Sequence, residues 1–197
     1  GFGAYFMAMQ RGFDRSPPTR AESSRLEVFR EYLGADGQPI KEVHLGDEIR
    51  VRLRLRALGD EVANVAIVDL LPGGFEVVVK SPPAEAEASA DEGEEADECE
   101  DCEGEGESGD ESEAPSGSTL ALPIALSGTT FAPDYGDVRE DRVVLYGNLG
   151  PDVVTFEYAI KATNVGHYVV PPLQAEGLYD RTAQARSAAD VISVTAP

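Results

Sequence analysis

Cysteine is scarce in this sequence of 197 residues, which contains only Cys99 and Cys102. Two thiols are too few for the disulfide framework of a small secreted domain. They have CxxC spacing, but the neighbouring carboxylates disfavour a thiolate, so redox catalysis is not expected. A structural zinc needs about four ligands, and the two histidines, His44 and His167, belong to separate regions of the chain. A local disulfide and two idle thiols remain as alternatives, and we expect no metal and no cofactor.

Basic residues are also few, with 16 Lys and Arg against 37 Asp and Glu and a net charge of -21. This charge disfavours binding to nucleic acids or anionic lipids. No apolar run approaches the roughly 18 residues of a membrane helix, and no signal sequence opens the chain. We therefore expect no nucleic-acid partner and no membrane contact by this chain. Because it starts with Gly1 rather than Met, we expect a piece of a longer protein, with residues 1–12 belonging partly to a preceding domain.

The acidic residues are concentrated in one stretch, because residues 85–113 contain 16 of them and no base. Between residues 81 and 118 there is no aromatic residue and no aliphatic residue larger than Ala. Such a composition cannot bury a core and predicts a disordered acidic insertion. Residues 101–112 imitate a Ca²⁺-binding loop, but Ser112 stands where the bidentate Glu is required. Diffuse attraction of divalent cations is therefore favoured over a specific calcium site.

The rest of the chain shows the periodicity of β-strands. In residues 49–56, apolar residues alternate strictly with arginines, so one face of a strand is apolar and the other polar. We found no capped helical pattern long enough to connect parallel strands, and only residues 180–189 could form a turn of helix. The pattern predicts an all-β fold, a single antiparallel β-sandwich over residues 1–197 with roughly eight to ten strands. The other predicted strands are 26–33, 62–69, 75–79, 142–146, 153–163, 167–170 and 191–195.

The sequence contains no motif of an enzyme, since it has neither the GxSxG nucleophile motif nor an HExxH pair. Nucleophilic catalysis would need a Ser, Thr or Cys beside a His and an orienting acid. His44 precedes a turn signal and is interpreted as a turn residue, and His167 as a half-exposed strand residue. We therefore expect a noncatalytic domain.

One basic cluster is present, an arginine stripe on the polar face of the alternating strand, formed by Arg50, Arg52, Arg54 and Arg56. Like charges two residues apart on one strand repel each other unless acidic groups lie nearby. Two alternatives remain for the acidic groups that would lie beside these arginines. Glutamates on neighbouring strands, such as Glu27 or Glu61, could pair across the sheet, or the acidic insertion could fold back over the stripe and make it a salt-sensitive interaction surface.

Several stretches together resemble the C-terminal macroglobulin-like domain of bacterial alpha-2-macroglobulins. Leu45-Gly46-Asp47 leads into the alternating strand, residues 64–76 are similar to the family's VxDxLPxGFE turn, and residues 139–143 to its RxDRV stretch. The longest similar piece runs to residue 180 and contains Tyr158, Ala162-Thr163, Gly166, Tyr168, Val170-Pro171-Pro172, Ala175-Glu176 and Leu178-Tyr179-Asp180.

The resemblance implies a multidomain periplasmic or cell-envelope protein, in some cases lipid-anchored to the inner membrane, that traps proteases after they cleave a bait region. In some relatives a helical domain carries a reactive thioester, and this domain would dock on it and shield the bond with a tyrosine of a Met-Tyr-Asp-Pro motif. That tyrosine corresponds to Tyr179, beside Leu178 where the family has Met and two residues before Arg181 where it has Pro. Leu and Met have similar volumes, so Leu178 could still cover a buried bond.

Two functions are therefore expected from the sequence. The first is a noncatalytic docking and shielding domain of a protease trap, whose partners are other domains of the same polypeptide and, through the full-length parent, proteases. The alternative is a β-sandwich module of a cell-surface adhesion or scaffold protein, which the composition alone would fit. Under that alternative, Tyr179 is an ordinary aromatic residue at a sandwich edge.

Overall fold

The computed structural model describes Met7 and residues 16–79 and 122–197, and regular structure in these ranges consists of β-strands. Among these residues no helix is long and apolar enough to cross a membrane. The strands are β1 Glu22–Ser24, β2 Leu26–Leu33, β3 Glu42–His44, β4 Glu48–Ala57, β5 Val62–Leu70, β6 Phe75–Val77, β7 Tyr135–Val138, β8 Arg142–Leu149, β9 Val154–Ala162, β10 Gly166–Val170, β11 Gln174–Gly177, β12 Gln184–Arg186 and β13 Asp190–Thr195.

The strands form three sheets around one apolar core. The six-stranded sheet has the order β1-β12-β11-β5-β8-β7, the four-stranded sheet β2-β4-β9-β6 and the three-stranded sheet β10-β13-β3. All pairings between these strands are antiparallel except β13 with β3, which is parallel. The predicted all-β sandwich is confirmed, although the described residues contain 13 strands rather than eight to ten.

The alternating strand β4 lies at the centre of the four-stranded sheet, between β2 and β9. Its apolar residues Ile49, Val51, Leu53 and Leu55 are each at most 4% exposed, while the arginines point to the opposite face. Burying four such side chains contributes roughly 6–12 kcal/mol at 1.5–3 kcal/mol each. The period-two pattern therefore predicted both the strand and the side of it that forms the core.

The helical turn predicted within residues 180–189 is wrong. This segment begins with a tight turn and continues as β12, which pairs with both β1 and β11. Ala183 and Ala185 are buried in the core, so these small side chains let the segment pack closely against the core as a strand.

Several predictions lie outside the described residues. These are the acidic insertion over residues 81–118, its Ca²⁺-like loop, the pair Cys99 and Cys102, and the extended segment near the start of the chain. The described segments on either side of residues 80–121 are both bonded to β9. The Val78 N–H donates to the carbonyl of Ala159, and the Leu126 N–H donates to the carbonyl of Glu157. The two flanks therefore meet the same strand two residues apart.

This geometry predicts the effect of shortening the insertion. Replacing residues 80–121 by a flexible linker of about eight residues should raise the free energy of unfolding by about 1.5 kcal/mol, since loop-closure entropy falls with the logarithm of loop length. The fold should be retained, because the neighbouring positions on β9 fix both ends of the linker. Chemical denaturation of the two chains measures the difference. A shortened chain that no longer unfolds cooperatively would contradict the prediction.

Candidate functional site

Tyr179 lies at the tip of the hairpin that joins β11 to β12, at one end of the sandwich. Its side chain is 85% exposed, and that of the preceding Leu178 is 48% exposed. An aromatic and an aliphatic side chain lie next to each other in solvent at this turn. Burying the two side chains against a partner would be favourable, so together they are a candidate contact surface. The structure thus places the two residues predicted for docking together on the surface.

The tip of this hairpin is held by hydrogen bonds within the turn. One oxygen of Asp180 (Oδ1) accepts hydrogen bonds from the Thr182 backbone N–H at 2.9 Å and from its hydroxyl at 2.6 Å. The Asp180 carbonyl also accepts from the Ala183 N–H at 3.0 Å. The Thr182 hydrogen bonds, with the charge of Arg25 as a further cause, lower the pKa of Asp180. The turn is therefore fixed locally while Asp180 is ionised.

The same hairpin is also tied to two neighbouring segments of the chain. The Leu178 N–H donates to the carbonyl of Asn64 at 2.9 Å, and Asn64 sits at a bulge of β5 with a positive φ of 53°. On the other side, the Ser24 hydroxyl donates to the Thr182 carbonyl at 2.9 Å, and Arg25 forms an ion pair with Asp180. These anchors hold the backbone of the tip while leaving the Tyr179 side chain exposed.

The arginine stripe is matched by glutamates on the strands beside β4. Arg56 bonds Glu27 at 2.6 Å, and Arg54 lies 3.4 Å from Glu31. Acidic residues on a neighbouring strand thus supply the negative charge that was predicted beside the stripe, and Glu27 is one of them. The other predicted partner, Glu61, makes no ion pair with the stripe among the described residues. An interaction role for the stripe stays a prediction.

The other two arginines of the stripe share one carboxylate that the sequence did not indicate. Arg52 bonds Glu157 at 2.6 Å, and Arg50 approaches it at 3.5 Å. Glu157 is buried although it lies on the polar face of β9, because the segment around Gly128 crosses above it. A Cβ at Gly128 would collide with the Glu157 carboxylate, so a side chain there would have to displace the carboxylate from its arginines.

A second ionic cluster lies inside the sandwich and was not predicted. Arg30 on β2 forms an ion pair with Asp69 on β5, and the side chains are 4% and 1% exposed. Tyr158 on β9 donates its hydroxyl to the other oxygen of Asp69 at 2.7 Å, and Arg30 also donates to the carbonyl of Pro171. The cluster therefore connects both main sheets to the segment that precedes β11.

Burial governs the titration of this cluster. Burial, followed by the negative charge of Asp69, raises the pKa of Tyr158 well above its ordinary value. Burial by itself would lower the pKa of Arg30. The neighbouring charges, above all that of Asp69, and the hydrogen bond to Asp69 outweigh this effect, so the pKa of Arg30 is raised. Tyr158 and Arg30 thus keep their protons and remain hydrogen-bond donors to Asp69.

Metal binding finds no support among residues 16–79 and 122–197, where no three His, Cys, Asp or Glu side chains are grouped to hold an ion. His44 is exposed at a turn beside Asp47, and His167 is exposed on β10. The Nδ1 of His167 lies 2.8 Å from the Ser193 hydroxyl, an exposed contact on the three-stranded sheet.

Comparisons with known proteins identify the family of this fold. Residues 26–181 match the model of the bacterial alpha-2-macroglobulin MG10 domain. An alpha-2-macroglobulin homolog of Yersinia pestis is 42% identical over 185 residues, which are 93% of this chain and 8% of that protein. The chain thus spans about 8% of the length of the curated relatives it matches.

Solved structures show the same fold in larger proteins. Salmonella alpha-2-macroglobulin reacted with methylamine aligns with a TM-score of 0.64 at 23% identity, covering 93% of this chain and 10% of that one. Escherichia coli alpha-2-macroglobulin activated by porcine elastase aligns with a TM-score of 0.64 at 24% identity, covering 94% of this chain and 14% of that one. The chain is therefore a macroglobulin module and not a catalytic domain, and it belongs to the bacterial alpha-2-macroglobulin MG10 domain family.

Proposed function

We propose that this domain docks on a thioester-bearing helical domain of its parent polypeptide and shields the reactive bond with Tyr179. In this role it is one of the domains of a protease trap. The observation that carries the proposal is the hairpin tip, where Tyr179 is 85% exposed on a backbone anchored to Asn64, Ser24 and Arg25. Two structural relatives add support, since the Salmonella protein was reacted with methylamine and the E. coli protein was activated by porcine elastase.

The physical argument concerns exclusion of nucleophiles from a bond. A thioester is hydrolysed or aminolysed once water or a small amine reaches it, so its lifetime depends on a cover that stays in place. A preorganised aromatic side chain is suited to this task, because little conformational entropy is lost when it docks. Leu178 would extend the apolar cover beside Tyr179, at close to the volume of the methionine that the family motif has there.

The decisive experiment is Tyr179→Ala in the full-length parent. Loss of the buried ring should raise the rate of inactivation by methylamine about tenfold, the factor that corresponds to about 1.4 kcal/mol of lost cover. Released thiol, measured with a chromogenic disulfide, follows the reaction. Tyr135→Ala is the matched control, because Tyr135 is also exposed but lies on β7, at the opposite edge of the six-stranded sheet. Equal rates for Tyr179→Ala and the wild type, or no amine-sensitive thiol in the parent, would reject shielding.

The location and protease partners of the parent are part of the same proposal. We propose a periplasmic or cell-envelope protein, with or without a lipid anchor, that meets proteases through its other domains. Fractionation of cells that express the full-length parent tests the location. Recovery of the full-length parent from the cytoplasm would contradict the proposed location, but it would not test the docking role of Tyr179.

A further inference from the structure

Leu58, in the loop between β4 and β5, is a third exposed apolar side chain at the end of the sandwich that carries Tyr179. It is 41% exposed and does not belong to the buried core. A lone exposed leucine needs no explanation, but several that lie together form a patch able to bind a partner.

Hydrogen bonds connect Leu58 to the Tyr179 hairpin through one residue. The Leu58 N–H donates to the carbonyl of Arg25 at 2.7 Å, and the guanidinium of the same Arg25 pairs with Asp180 at the hairpin tip. Arg25 itself has a positive φ of 58°, at the junction where β1 passes into β2. This junction therefore holds the β4–β5 loop and the hairpin next to each other.

Acidic side chains border this end of the sandwich. Asp60 and Glu61 follow Leu58 in the same loop, and Asp152 lies in the loop between β8 and β9, which approaches β4 through the hydrogen bond from the Ala57 N–H to the carbonyl of Gly150. All three carboxylates are exposed. The exposed Arg181 lies on the hairpin itself, so the acidic border is on the side of the β4–β5 loop, and a partner surface that fits here has an apolar centre and a basic rim on that side.

We propose that Leu58 is a second anchor of the docking surface, which extends from Tyr179 across the Arg25–Asp180 ion pair to the β4–β5 loop. Its occupant is an apolar patch with a basic rim on another domain of the same polypeptide. The inference rests on the proposed function and extends it to a residue outside the hairpin. The occupant is sought within the parent because this chain spans about 8% of the relatives it matches, so most of the polypeptide lies beyond it.

Cysteine labelling of the full-length parent tests this surface without relying on the thioester. In a background in which Cys99 and Cys102 are replaced by serine, single variants Leu58→Cys, Tyr179→Cys and Val191→Cys are treated with a maleimide under native conditions, and each rate is divided by the rate of the same variant in urea. Val191 is the matched control, since it is 52% exposed but belongs to the three-stranded sheet. We expect Leu58→Cys and Tyr179→Cys to react about tenfold more slowly than Val191→Cys, because docking covers both.

The outcomes separate the two proposals. If Tyr179→Cys is protected and Leu58→Cys reacts as fast as Val191→Cys, the docking surface ends at the hairpin and the further inference is overturned alone. If both react as fast as Val191→Cys, the docking role of Tyr179 is overturned as well. A second variant, Leu58→Ser, should speed inactivation by methylamine about fivefold if the cover depends on this anchor.

Discussion

Asn in place of Asp69 is expected to lower the free energy of unfolding by about 3–5 kcal/mol, because it leaves the buried Arg30 guanidinium without a countercharge. Arg30 forms no ion pair with any other described residue, since its side chain is 4% exposed and its other contacts are the carbonyls of Leu70 and Pro171 and the ring of Tyr32. Those carbonyls carry only partial charge and cannot neutralise a buried cation. Guanidinium denaturation of the wild-type and variant chains measures the difference.

Two companion variants separate the charge from the hydrogen bond. Tyr158→Phe removes only the 2.7 Å hydrogen bond to Asp69 and should cost about 1–3 kcal/mol. Glu22→Gln breaks the exposed ion pair with Arg186 and should cost less than about 1 kcal/mol. A loss for Asp69→Asn no larger than that for Glu22→Gln would mean that the internal ion pair is not needed for stability.

The internal cluster also explains why the sheets take up a defined arrangement. Apolar contacts tolerate sliding between layers, whereas an ion pair with fixed donors and acceptors tolerates little displacement. Because Arg30 bonds both Asp69 and the carbonyl of Pro171, it fixes the segment that leads into β11. The strand β11 then ends at the hairpin that presents Tyr179, so the cluster lies at the base of the docking element.

The sequence predicted the strands that bury a continuous apolar face. The predicted range 26–33 coincides with β2 Leu26–Leu33, and the predicted 49–56 differs from β4 by one residue at each end. In β4 the period-two pattern is strict, since every other side chain enters the core, whereas β2 was predicted from its strand-sized run of aliphatic and aromatic residues. Such strands can be predicted from their own residues, without knowledge of the strands that pair with them.

Short strands with small or polar residues were missed. The strands β11 and β12 bury only alanines and glycine and present glutamine and glutamate outwards. Their intrinsic preference for a strand is weak, and they form because β5 and β1 offer paired edges. Tertiary pairing of this kind is not visible in a local pattern.

The ionic clusters were missed for a related reason. Asp69 is 39 residues from Arg30 and 89 from Tyr158, and Glu157 is 105 residues from Arg52. Each residue looks like an ordinary polar residue in its own strand, and only the register of neighbouring strands brings the partners together. The one available signal was Asp69 itself, an acid in a strand whose only other polar residue is Asn64. Tyr179, in contrast, was found from the family motif and not from periodicity.

Replacing Gly74 by Ala should be the most damaging change at the surface turn before β6, with a loss of about 2–5 kcal/mol. Gly74 has a φ of 77°, and this left-handed conformation costs a residue with a side chain about 1–2 kcal/mol. A Cβ there would also lie 2.5 Å from the ring of Tyr168, which adds about 1–3 kcal/mol of overpacking.

The ring of Tyr168 cannot easily give way to the new methyl group. Its hydroxyl proton is shared between the carbonyls of Asn164 and Val165, and its ring forms a T-shaped contact with Phe75 at an interplanar angle of 79°. Both the hydroxyl and the ring are therefore held in place while the added methyl group would press on them.

Gly37→Ala is the control that isolates the backbone term, because Gly37 has a φ of 75° but nothing lies within 4 Å of a Cβ there. It should cost only about 1–2 kcal/mol. In a Tyr168→Ala background, the cost of Gly74→Ala should fall to about 1–2 kcal/mol. The interaction energy between the two substitutions, about 1–3 kcal/mol, then measures the collision of the added methyl group with the tyrosine ring. Equal losses for Gly74→Ala and Gly37→Ala in the wild-type background would show that the tyrosine yields and that only backbone conformation requires glycine in this turn.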